Sequence, residues 1–176
     1  MFINCTIMND LNTSISLESR TLNQAIGFRA DEIHPGEPTR QARLKWVIVV
    51  NAELAPGRAA NAAACVAAVT GSVVSGMLGD AVFDADGSEH AGLPWAGCSV
   101  LVASGEKLAA IRAKAETRED MHVADMPVLA QETRVYAEYL ERMTERVSSE
   151  IAYAAVGLVG ERKRVDRLVG GLSLLT

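Results

Sequence analysis

Asp125 is the residue whose type and position best suit it to chemistry. It closes the apolar stretch Met121-His122-Val123-Ala124 just before Pro127. That is the carboxyl end of an expected strand, where α/β folds present their functional groups. A carboxylate there can act as a base or orient a ligand, and it equally suits the N-cap of a helix begun by proline. Asn61 is the one amide in a run of alanines, although a core amide satisfied by backbone is the commoner case. Gly57-Arg58 opens that run, where the free N–H groups of a helix start make an anion site that Arg58 would complete. Asn51 and Glu53 either face the same pocket or form the turn before it. Trp95, between Pro94 and Gly97, lines a ligand pocket or seals the edge of the core, and sealing is the expected role.

Other chemistry is sparse. Cys5, Cys65 and Cys98 are too few and scattered for a disulfide framework or a zinc site, and Cys65 and Cys98 read as small buried hydrophobes. His34, His90 and His122 lack metal-ligand spacing, so neither metal nor cofactor is expected. Arg162, Lys163, Arg164 and Arg167 give the last helix a basic, solvated start. With Lys+Arg 17 against Asp+Glu 22, the net charge of -5 argues against a nucleic-acid grip. A chain of 176 residues, 49% hydrophobic, holds one real core and is not disordered. No apolar run approaches the roughly 20 residues of a membrane span, and the start lacks a secretory pattern. A cytoplasmic protein without membrane contact is expected.

Stepping outward, Trp46-Val47-Ile48-Val49-Val50 reads as a central strand covered on both faces. Residues 51–57 form a loop that turns at Pro56-Gly57. The alanine-rich helix over 58–69 has almost no bulk, so it can lie close to a sheet and should be buried nearly all round. Asp86-Gly87 marks a hairpin between Val82 and His90. Strands follow at 98–103, 121–126 and 151–159, with a surface helix at 106–118 carrying Leu108, Ile111 and Ala115 on one stripe. A helix of about five turns should begin at Pro127, with Leu129, Tyr136, Leu140, Met143 and Val147 on one face. Residues 162–169 form the last helix. Alternating strands and helices predict an α/β fold with a mixed, largely parallel β-sheet flanked by helices. Residues 1–43 read as an arm, loosely held over 1–20; residues 21–43 either pack, across the domain or across a partner subunit as a homodimer, or form a disordered leader. The domain proper spans 44–176.

The run from Val49 to Cys65, with Asn51-Ala52-Glu53-Leu54-Ala55-Pro56-Gly57-Arg58 at its heart, resembles the opening of the type II peptidyl-tRNA hydrolases, V-V-R-x-D-L-x-M-G-K-G-K-x-A-A-Q-C. Val165-Asp166-Arg167-Leu168-Val169-Gly170-Gly171-Leu172 is similar to that family's closing V-D-K-x-T-G-x-L. With Gly92-Leu93-Pro94-Trp95-Ala96-Gly97-Cys98 and Asp31-Glu32-Ile33, the chain most closely resembles an uncharacterised bacterial branch, the "domain of unknown function two thousand" family. The resemblance implies a peptidyl-tRNA hydrolase II-like fold. It places the hydrolase's functional lysine on Ala60, its helical His on Ala67, its Gln on Ala64, and the Thr of its last long strand near Ala155. Arg58 partly matches its first lysine and Asp125 its catalytic-loop aspartate, with a helix inserted after Asp125. A lysine replaced by alanine removes both charge and donor from a site built to hold phosphate or polarise a carbonyl. The expectation is a non-hydrolase that binds a small anionic ligand or a partner between the loops after Val50 and Val123, lined by Asn51, Glu53, Arg58, Asn61 and Asp125, with Ala60 at its mouth. The rival is a hydrolase of aminoacyl or peptidyl esters using Asp125 with Arg58.

Overall fold

The structure, a computed structural model, describes residues 26–176; the expectations for 1–20, Leu22 and Cys5 lie outside it. The apolar run forms β1 (Leu44–Asn51), with Val47, Val49 and Val50 fully buried. Then come α1 (Pro56–Val73), the hairpin β2 (Val82–Phe83) and β3 (Glu89–His90), β4 (Ser99–Ala103) and α2 (Gly105–Glu116). The chain continues through β5 (Met121–Pro127), α3 (Leu129–Glu132), α4 (Tyr136–Thr144), β6 (Tyr153–Glu161), α5 (Arg162–Val169) and β7 (Ser173–Leu174). Five strands make one sheet in the order β5-β6-β1-β4-β7.

That sheet is mixed but mostly antiparallel, which corrects the expectation of a largely parallel one. Only the β1–β4 pairing is parallel; β1–β6, β5–β6 and β4–β7 are antiparallel. The expectation assumed that every intervening helix is a crossover packed on the sheet. α1, between β1 and β4, is one. The segment between β5 and β6 is not: α4 has no buried residue, and the chain returns beside β5 as its antiparallel neighbour.

Alternation along the strands divides the core. Trp46, Ile48, Val50, Ala124, Met126 and Val159 pack under α1. On the other face Val47, Val49, Val156 and Leu158 meet Leu108, Ile111 and Ala115 of α2 and Val165, Leu168 and Val169 of α5. Only Ala59, Ala62, Val66 and Thr70 of α1 are buried. This corrects the helix expected to be buried all round: α1 has one sheet to cover, and exposed alanine costs little. Its inner side does lie flush, since a Cβ added to Gly157 on β6 would come within 2.4 Å of Val66 Cγ1.

Two further boundaries move. Pro56 is a residue of α1, so the loop's turn at Pro56-Gly57 is instead the helix start. The long helix from Pro127 is broken in two. Pro127 ends β5, and α3 stops at Thr133, whose extended backbone N–H and hydroxyl both donate to the Leu129 carbonyl. Of the expected apolar stripe only Leu129 is buried; Tyr136, Leu140 and Val147 are exposed.

Residues 26–43 pack on their own domain. Phe28 is 6% exposed and meets Trp95 edge to face at 4.8 Å between ring centres. Its N–H donates to the Ser75 carbonyl. Arg43 donates to Glu32 and to the Gly27 carbonyl, and Arg162 to the carbonyls of Thr39 and Ala42. The Arg43 guanidinium holds the Glu32 carboxyl down at about 2.

Candidate functional site

The structure sorts the expected site residues into separate groups. Asn51 ends β1 and its Oδ1 accepts the Glu53 N–H at 3.0 Å, an Asx turn. The pair therefore forms the loop, and Glu53 is exposed. Trp95 donates from Nε1 to the Gly76 carbonyl at 2.8 Å and packs on Phe28, so it seals the core edge as expected. It also borders a cleft of about 200 Å³ under the arm, with Arg29, Glu32, His34 and Arg43.

Arg58 and Asn61 do come together, through a residue the sequence reading missed. Gln131 of α3 accepts from Arg58 Nε at 2.8 Å and donates to the Arg58 carbonyl at 2.8 Å and to Asn61 Oδ1 at 3.0 Å. Asn61 is exposed, satisfied by a side chain and not by backbone within a core. Nothing in one sequence marks a glutamine some 70 residues downstream as the partner of these two.

Asp125 belongs to a different network. It lies within β5 and caps no helix; the residue before α3 is Val128. Its Oδ2 accepts from Arg112 Nε of α2 at 2.9 Å, and Arg112 also pairs with Glu116. The Arg112 guanidinium sits 5.4 Å from the centre of the Tyr153 ring, a cation–π distance. Burial pushes the Tyr153 and Tyr139 hydroxyls up, and the charge of Asp125 adds to both shifts. Alternation places Asp125 on the α2 face of the sheet, opposite Ala124 and Met126. The expected pairing of Asp125 with Arg58 is not formed.

Among the described residues, an apolar cleft of about 350 Å³ is walled by Cys65 of α1, Asp125, Met126 and Pro127 of β5, and Ala130, Thr133, Arg134, Val135, Tyr136 and Tyr139 beyond them. It is bordered by residues of both sheet faces, Met126 and Asp125, so it lies off the open edge of β5. Tyr136 and Tyr139 face each other there at 5.7 Å between ring centres. Ala60 is not among its walls. Cys65 is exposed, which corrects its reading as buried; Cys98 is likewise exposed as a residue, yet burial of its sulfur pushes the thiol up to about 12.

Among the described residues no three His, Cys, Asp or Glu side chains gather as metal ligands, and no helix is long and apolar enough to cross a membrane. His122 is half-buried on β5 with Nε2 unpartnered among the described residues, and burial pulls its pKa down.

A five-stranded mixed sheet with α1 on one face, α2 and α5 on the other and a cleft off its edge defines an α/β protein with an edge cleft. More particularly, the chain belongs to the DUF2000 family of proteins of unknown function, whose model matches residues 44–176. No curated protein matches it. A solved structure of a protein of unknown function from Agrobacterium tumefaciens is similar in fold, with a TM-score of 0.69 at 18% identity over 76% of this chain and 98% of that one.

Proposed function

We propose that this protein binds a small, largely apolar ligand carrying a negative charge in the 350 Å³ cleft between α1, β5 and α4. The cleft falls within the range of about 300–1,000 Å³ typical of ligand pockets, with apolar walls and polar groups among them, here the two tyrosines, Thr133, Arg134 and Asp125, whose charge Arg112 already pairs. The observation that carries the reading is that Asp125 and Arg58 are committed to different partners. A carboxylate paired with Arg112 and a guanidinium tied to Gln131 on another network are not placed to act together on one substrate. This favours binding over ester hydrolysis, on a scaffold we regard as related to the type II peptidyl-tRNA hydrolases without their lysine. We place the protein in a bacterial cytoplasm. Of the four cations of the last helix, Arg164 pairs with Asp120 and Glu161 and Arg162 is held by the carbonyls of Thr39 and Ala42, which weighs against nucleic acid as the partner.

The test is fluorescence of 1-anilinonaphthalene-8-sulfonate, an apolar anion. The folded protein should bind the dye near one per chain, and Tyr139→Ala or Met126→Glu should weaken binding by about tenfold or more. Turnover of a peptidyl-tRNA mimic that Asp125→Asn abolishes would overturn the reading.

A further inference from the structure

We infer that the occupant of this cleft is a flat aromatic carboxylate, its anion held by Arg134 and its ring by the tyrosines of α4. The inference rests on the binding reading above and names the chemistry of the ligand. Two of the lining residues, Asp125 and Arg134, are charged, and they are not equivalent. The Asp125 carboxylate is already bonded by Arg112. Nearby, Arg58 is tied to Gln131 and Arg142 pairs with Glu138. Arg134, in the link between α3 and α4, makes no ion pair among the described residues. The cleft is thus left with one unanswered positive charge. A guanidinium is planar and meets a carboxylate through two parallel N–H···O bonds, so it selects that group by shape as well as sign.

The apolar walls favour a ring over a saturated chain. Tyr136 and Tyr139 stand three residues apart on α4, which makes them neighbours on the helix surface. Their planes are inclined at 41°, and Tyr136 is 74% exposed, a large ring left uncovered beside the cleft. β5 and α1 contribute two sulfur atoms, those of Met126 and Cys65. Aromatic rings prefer offset or edge contacts with other rings, and sulfur is drawn to a ring edge. A saturated guest of equal bulk would bury the same area and forgo both contacts. Burial keeps the Tyr139 hydroxyl protonated, so it adds no charge that would repel an anion.

The probes are 2-naphthoate, its neutral amide 2-naphthamide and the saturated acid decalin-2-carboxylate, each competing with the dye at low ionic strength. Naphthoate should displace the dye, and the other two should bind about fivefold more weakly. Arg134→Gln should remove the difference between acid and amide while leaving that between aromatic and saturated acid. Tyr136→Leu combined with Tyr139→Leu should do the reverse. Salt at about 1 M should shrink the first difference and spare the second. Arg134 and Tyr136 are exposed, and urea midpoints close to that of the wild type check that the variants fold. Equal binding of the three probes, no displacement by naphthoate up to about 1 mM, or an Arg134→Gln variant that still tells acid from amide overturns the inference. If the dye nevertheless binds near one per chain and Met126→Glu weakens it, the cleft survives as a small-ligand site. Loss of dye binding by the wild type would remove both readings.

Discussion

At the scale of single residues, the Asp125–Arg112 pair decides what Asp125 does. Both side chains are about one-fifth exposed, so neither has free access to water and each depends on the other. Arg112→Ala removes the guanidinium from Asp125 and from the Tyr153 ring together. The expected cost is about 1.5–3 kcal/mol in urea unfolding, the range for hydrogen bonds to charged groups, while dye binding in the cleft changes little. Asp125→Asn keeps an acceptor for Arg112 and should cost less than half as much. Equal stability of wild type and Arg112→Ala would show the pair to be surface decoration. The end of an apolar run before Pro127 marks Asp125 in the sequence, but its partner Arg112 reads there as one more charge on a surface helix, while Arg58 stands out at a helix start. Only the face on which Asp125 points separates the two, and that depends on where β5 ends, a boundary blurred by Pro127.

At the scale of elements, the packing of α1 on β6 is the most constrained contact. Ala59, Ala62, Val66 and Thr70 form the inner side of the helix, and Gly157 is the opening that lets it down onto the sheet. An added Cβ at Gly157 would meet Val66 Cγ1 at 2.4 Å and Thr70 Oγ1 at 3.4 Å, so the helix or strand would have to move. Gly157→Ala should cost about 1–3 kcal/mol by overpacking, and Gly157→Val more. Pairing Gly157→Ala with Val66→Ala should recover part of the loss if the clash is the cause. Urea midpoints of the two single variants and the double variant check this. The slimness of α1 was legible because alanine content is written in the sequence. Its exposed outer side was not, since a run of alanines looks the same whether one layer or two lies over it. Strand positions and the α2 stripe were legible for the same reason as α1. Strand direction was not: apolar runs report burial, and only the packing of the connecting segments tells a crossover from a return.

At the scale of the whole molecule, the domain is larger than its family match. The match begins at residue 44, yet Phe28 enters the core and Ile26 and Ile33 pack against it. We therefore predict that a fragment of residues 44–176 loses about 3–5 kcal/mol relative to the full chain, the range for deleting a buried aromatic, and that Phe28→Ala reproduces most of that loss. Phe28→Leu should restore more than half of it. A fragment as stable as the full chain would make the arm accessory. Acid should loosen the same attachment. The folded Glu32 carboxyl titrates at about 2 against 4.5 for the ordinary group, because Arg43 bonds its charged form. Its contribution is therefore complete above pH 4.5 and is lost as pH falls from there toward 2. Arg43 is substantially exposed, so solvent screening reduces the contribution to about 1 kcal/mol. Arg43→Ala should lower stability by about that amount at pH 7 and flatten the decline between pH 4.5 and 2. A variant whose acid profile runs parallel to that of the wild type would show that the ion pair does not fasten the arm, leaving Phe28 and Trp95 to do so.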